Sequence, residues 1–80
     1  MNIQVVGMGC AKCKTLEQRT RAAVAELGLD ATVTKVEDFI EMRKLNITLT
    51  PALVVDGQVV LKGRLPSAAE LTALLAAATR

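Results

Sequence analysis

The chain reads as an α/β domain in the order β-α-β-α-β-β-α, a four-stranded mixed sheet with helices on both faces. Three observations predict this. A short β-branched stretch from Asn2 to Val6 runs into a long helical pattern and then into a second β-branched stretch. Such a strand–helix–strand unit sets its two strands parallel. Asp56-Gly57 then separates two short apolar runs, the signal of a two-residue hairpin, and a helix with its own start signal closes the order.

Each element has its own justification. Asn2 to Val6 is nearly continuous in apolar character and reads as a strand buried on both faces. Gly7-Met8-Gly9-Cys10 interrupts it and opens the first helix. From Cys13 onward, Leu16, Thr20, Ala23, Val24 and Leu27 recur at helical spacing, with Lys14, Gln18, Arg21 and Glu26 on the other side. Gly28 stands where a C-terminal cap belongs. Ala31 to Val36, rich in Thr and Val, is the second strand. Asp38 caps a shorter helix carrying Phe39, Ile40, Met42 and Leu45, with Phe39 assigned to the core and Asn46 near the end. Ala52 to Val55 and Gln58 to Lys62 form the hairpin, with Asp56 as a turn residue and Gly63 as the stop. In Pro66-Ser67-Ala68-Ala69-Glu70, Ser67 and Glu70 make a reciprocal capping box for a helix that buries Leu71, Leu74, Leu75 and Ala78.

Composition narrows the function. The 80 residues are 51% hydrophobic and 22% charged, a globular balance, and they are taken as one domain spanning residues 1–80. There is no His, so imidazole general-base chemistry, Cys-His nucleophile pairs and His-containing zinc sites are excluded. Two Cys cannot supply a four-thiolate zinc site or an iron–sulfur cluster, and no metal site is assigned. Phe39 is the single aromatic, which leaves no base-stacking platform for nucleic acid. The net charge of +2 comes from small basic clusters spread along the chain rather than from a stripe. No stretch has the length of a membrane span, and Met1 to Val6 lacks the basic start of a signal peptide. The expectation is a soluble cytoplasmic monomer, in a compartment where paired thiols are redox-active or metal-binding.

A disulfide between Cys10 and Cys13 would close a very short loop and add little stability. The cysteines are therefore read as chemistry rather than scaffold. Cys10 falls at or just before the first helical turn, where free N–H groups and the helix dipole favour an anion. Lys12 and Lys14 add positive charge, and together these are expected to raise the thiolate fraction of Cys10. Cys13 shares the apolar face with Leu16 and is expected to be the more sheltered sulfur. An activated thiol followed by a sheltered one suits thiol–disulfide exchange, with Cys10 attacking and Cys13 resolving.

Cys10-Ala11-Lys12-Cys13 after a first strand, Thr50-Pro51 before a hairpin, and the run Pro51-Ala52-Leu53-Val54-Val55-Asp56-Gly57 resemble the thioredoxin-like superfamily. Within it, the chain looks most like the very small thioredoxin/glutaredoxin-like redox-active disulfide proteins of archaea and bacteria. The resemblance covers essentially the full length and implies a minimal thioredoxin-like fold and a dithiol–disulfide oxidoreductase. It implies that Pro51 is a cis-proline facing the cysteine pair and that Thr50 offers its backbone to an extended substrate. Met8 and Gly9, beside Cys10, join the expected substrate-binding residues. The expected partners are a protein disulfide and an upstream reductase, with the Cys10–Cys13 pair as redox centre and no separate cofactor. Larger thioredoxins bury an acid near the second Cys, whereas the stretch from Ile3 to Val6 offers none. The aromatic and Gly-Gly features of a glutaredoxin glutathione site are also missing, so glutathione is not expected.

Two other readings compete. Gly7-Met8-Gly9-Cys10-Ala11-Lys12-Cys13 also resembles the G-M-x-C-x-x-C loop of small copper chaperones, and two thiolates suit Cu(I). Those domains run βαββαβ and close on a strand, whereas this chain is expected to close on a helix. The third reading, a non-catalytic binding module, treats both cysteines as small hydrophobes.

Overall fold

The computed structural model describes residues 1–8 and 11–78. Its elements follow the expected order: β1 (Asn2–Val6), α1 (Ala11–Leu27), β2 (Thr32–Val36), α2 (Phe39–Lys44), β3 (Ala52–Val55), β4 (Gln58–Lys62) and α3 (Ala68–Ala78). The sheet order is β2-β1-β3-β4, with β1 parallel to β2 and the other neighbours antiparallel. This is an α/β architecture with a four-stranded mixed sheet and three helices, that of a minimal thioredoxin fold.

The central strands sort their side chains to two faces, as a strand's period of two requires. Ile3, Val5, Leu53 and Val55 join Leu16 and Ala23 of α1 and Leu71 and Leu75 of α3 in one cluster. Val6, Ala52 and Val54 join Val36, Met42 and Ile47 on the other face, where α2 lies. β1 and β3 are thus covered on both sides, which accounts for the run of four buried residues in β3.

The helix ends are closed as their sequences suggest. Gly28 (φ 63°) donates to the Ala25 carbonyl, and Leu29 donates to that of Val24, a Schellman stop for α1. Asn46 (φ 58°) does the same for α2: it donates to Arg43 while Ile47 donates to Met42. The N–H of Ile40 donates to Asp38 Oδ1 at 2.9 Å, the expected cap. Asp56 and Gly57, both at positive φ, form the hairpin turn. Asp56 is more than a turn residue, since its Oδ1 accepts from the N–H of Asn2 at 2.7 Å.

Three details differ from the reading of the sequence. The capping box before α3 is half formed: the Glu70 N–H donates to Ser67 Oγ at 3.1 Å, but the Glu70 carboxylate turns to Arg64. That hydrogen bond holds the Glu70 carboxyl below its ordinary range and raises the Arg64 guanidinium. Leu74 and Ala78 are half-buried rather than buried. Phe39, assigned to the core, is 59% exposed. It occupies the first position of α2 and is part of neither buried cluster. No helix among the described residues is long and apolar enough to cross a membrane.

Candidate active site

The site edge is built by register. Val6 of β1 pairs with Val36 of the parallel β2 and with Ala52 of the antiparallel β3. One edge therefore carries the residues that follow Val6 and Val36 and those that precede Ala52. Gly7 and Met8, Glu37 and Asp38, and Thr50 and Pro51 all belong to it. The N–H of Gly7 donates to the Val36 carbonyl at 3.0 Å, which extends the parallel ladder by one residue. In an open α/β sheet, the carboxyl edge of the first strand is where sites form.

α1 begins at Ala11, so Cys10 immediately precedes it in sequence. Gly9 and Cys10 lie outside the described residues, and so do the expectations placed on their geometry. Cys13 is described: it is disulfide-bonded, lies in the first turn of α1 and is only 6% exposed. No acidic side chain occupies that first turn, so no carboxylate there offsets the positive end of the helix dipole.

Cys13 is held by a close approach that the sequence reading passed over. A Cβ placed on Gly7 would lie 2.1 Å from Cys13 Sγ and 2.8 Å from Cys13 Cβ. Both are shorter than real Cβ contacts, so the sulfur occupies the space a side chain at position 7 would need. In the sequence, Gly7 is the break after the first strand and the first residue of the Gly7–Cys13 loop pattern. Its local signal, a glycine between an apolar strand and a cysteine-bearing helix, is compatible with several roles, and only the packing distinguishes them.

Beside Cys13 is a small cavity of about 40 Å³, bounded by Val5 and Gly7 of the β1 side, Lys14 and Glu17 of α1, and Lys35 and Glu37 of the β2 side. Glu17 is one helical turn beyond Cys13, the spacing that puts two side chains on one face. Its side chain is 18% exposed and meets Arg21 at 3.0 Å and Lys35 at 3.7 Å. Lys35 also lies 3.7 Å from Glu37. β1 carries no acid. The structure brings acids from α1 and from the end of β2 instead.

The other named residues are placed as follows. The Thr50–Pro51 peptide is cis, as the resemblance implied, with Pro51 buried and Thr50 exposed. The Pro51 carbonyl accepts from the Gly63 N–H at 2.9 Å, which ties this turn to the end of β4. Met8 is 60% exposed on the same edge. Lys12 and Lys14 are both exposed and make no ion pair among the described residues; Lys14 borders the Cys13 cavity, whereas Lys12 does not. Among the described residues no cluster of three or more metal-ligating side chains occurs.

Residues 1–76 match the family described as thioredoxin domain. A thioredoxin of Methanothermobacter thermautotrophicus is 40% identical over 75 residues, covering 94% of this chain and 97% of its own. A thioredoxin of Methanocaldococcus jannaschii is 36% identical over 69 residues, covering 86% of this chain and 79% of its own.

Proposed function

We propose, for a chain that belongs to the thioredoxin domain family, that Cys10 and Cys13 exchange a dithiol for a disulfide with protein substrates. Thiol–disulfide oxidoreduction is its activity at the level of the family; the roles of individual residues and the direction of exchange belong to the proposal. Cys13 carries the reading: it is sheltered in the first turn of α1, at the carboxyl edge of β1, and already engaged in a disulfide.

In the reducing direction, the Cys10 thiolate attacks one sulfur of the substrate disulfide and releases the other as a thiolate. The Cys13 thiolate then attacks the Cys10 sulfur, closes the intramolecular disulfide and releases the second substrate thiolate. Two electrons pass to the substrate, and an upstream reductase restores the dithiol. Lys12, Lys14 and the start of α1 favour the Cys10 thiolate. Thr50, Pro51, Met8 and Gly9 offer an extended segment of the substrate its place beside the sulfurs. The chain acts as a monomer in the cytoplasm, on protein rather than nucleic acid or membrane, with no cofactor beyond the cysteine pair. Closure on helix α3, where a copper-chaperone order would end on a strand, favours this reading over a Cu(I) carrier.

The test is reduction of a disulfide-bonded protein by the reduced chain, run beside a Cu(I) titration against a chelator on the same sample. We expect Cys10→Ser to abolish reduction and Cys13→Ser to accumulate a mixed disulfide through Cys10. Tight Cu(I) binding without reductase activity would overturn the reading. Adducts that form through Cys13 in Cys10→Ser as readily as through Cys10 in Cys13→Ser would reverse the two roles.

A further inference from the structure

We infer that the redox edge selects disulfides flanked by acidic residues and that Lys62, at the end of β4, is the side chain that reads them; this rests on the redox reading above and names its substrate class. The basic residues are scattered in sequence, and ion pairing sorts them. Arg21 and Lys35 are matched to Glu17 and Glu37, Lys44 to Glu41, and Arg64 to Glu70. Arg19 donates to the Pro66 carbonyl at 2.7 Å. Among the described residues, Lys12, Lys14, Arg43 and Lys62 remain without a carboxylate partner, and all four are exposed.

The fold gathers three of these four at one end. Lys12 and Lys14 lie in the first turn of α1. Lys62 pairs with Ala52, the residue after Pro51, and its neighbour Gly63 donates to the Pro51 carbonyl at 2.9 Å. Residues opposite one another on paired strands share a face, so Lys62 stands with Ala52 on the α2 face, whereas α1 lies on the other. The cations thus flank Thr50–Pro51 and the cysteine-bearing turn from both sides of the sheet.

The carboxylates without an ion pair lie mostly elsewhere. Glu26 and Asp30 border the end of α1 and Asp56 occupies the hairpin turn, all at the opposite end of the strands. The terminal ammonium, which donates to the Asp30 carbonyl, is the cation found there. Asp38 is the exception at the redox edge, where its Oδ1 caps Ile40 beside β2. In the order β2-β1-β3-β4, that is the side away from Lys62, so the edge grades from acidic to basic. The ends of β4 are four residue steps apart, about 13 Å. Physiological salt screens charge over about 8 Å, so the distant carboxylates do not cancel the cations at the edge.

A positive rim around a reacting centre speeds the encounter with an acidic partner and slows that with a basic one. A substrate disulfide that reaches Thr50–Pro51 with an Asp or Glu on the β4 side meets the Lys62 ammonium, which has no ion pair to give up. The exchange itself is unchanged, with two electrons passing from the Cys10–Cys13 dithiol to the substrate disulfide. Lys62 selects and positions the substrate and touches no reacting atom.

The test uses three cyclic disulfide peptides that differ only in the residues flanking their cysteines: aspartates, asparagines or lysines. Their reduction by the reduced chain is followed by acid quenching and thiol alkylation. At about 0.02 M salt the aspartate peptide should react roughly fivefold or more faster than the lysine peptide, and the gap should close at about 0.5 M salt. Lys62→Gln should cut that ratio by about half or more and leave the asparagine peptide within about twofold of its parent rate. Gln58→Glu makes the same change in net charge at the other end of β4 and should leave the ratio as in the parent. A retained asparagine-peptide rate shows that Lys62→Gln is folded and chemically competent. No preference at low salt, a preference that salt does not weaken, or equal falls in Lys62→Gln and Gln58→Glu would overturn the inference, as would loss of asparagine-peptide reduction in Lys62→Gln. A parent chain that reduces none of the three peptides would instead overturn the redox reading itself.

Discussion

The two faces of the sheet are unequally built. On one, α1 and α3 lie together over Ile3, Val5, Leu53 and Val55, and Leu16, Leu71 and Leu75 are fully buried between them. On the other, Met42 of the six-residue α2, with Leu45 and Ile47 of the segment that follows it, covers Val6, Ala52 and Val54, leaving Phe39 and Ile40 largely exposed. Apolar burial is the main favourable term in folding, so the α1–α3 face contributes most of the stability. Cys13 lies on α1, the helix that covers the well-packed side. Its sulfur is thereby carried by a helix packed against both α3 and the sheet, while the opposite side of the same edge is only lightly covered.

The comparison can be broken most directly by truncating Leu16. Leu16→Ala removes a fully buried side chain between α1 and the sheet, and we expect a loss of about 2–5 kcal/mol in urea unfolding. Met42→Ala, on the thin face, should fall at the lower end of that range. Equal losses at the two positions would show the faces to be energetically alike.

Gly7→Ala should cost less and tell more about the site. The added methyl would meet Cys13 Sγ, and overpacking of this kind costs about 1–3 kcal/mol. The displacement falls on Cys13, so, on the function proposed above, resolution of a mixed disulfide should slow along with the loss of stability. A variant with native stability and native resolution rate would show that Cys13 moves aside freely.

The smallest effect is expected at Phe39. Truncating an exposed side chain away from special features changes stability by no more than about 0.5 kcal/mol, so Phe39→Ala should unfold at nearly the same urea concentration as the parent. A loss of 1 kcal/mol or more would show that Phe39 is covered in solution and that the thin face is not thin.

Most of the fold is legible locally. Asp56-Gly57, Gly28 and Asp38 announce a turn, a stop and a start because each solves a problem confined to a few neighbouring residues. Capping at Glu70 was only half legible, because Arg64 competes for its carboxylate once the loop before α3 folds back. Phe39 differs for a similar reason: periodicity marks an apolar stripe but not what packs against it, and Phe39 is part of neither buried cluster.

The amino-acid sequence by itself determined the order of elements, the hairpin, the helix ends and the spacing of the two cysteines, all of which depend on short-range sterics and hydrogen bonding. Tertiary structure decided what surrounds Cys13. Gly7 from just after β1, Glu17 from the next turn of α1, and Lys35 and Glu37 from the β2 side meet there only because the parallel register brings β2 alongside β1 and α1 packs over both. The packing and charge around a buried sulfur depend on such through-space neighbours, so the environment of Cys13 is set by the fold and not by its near neighbours in sequence.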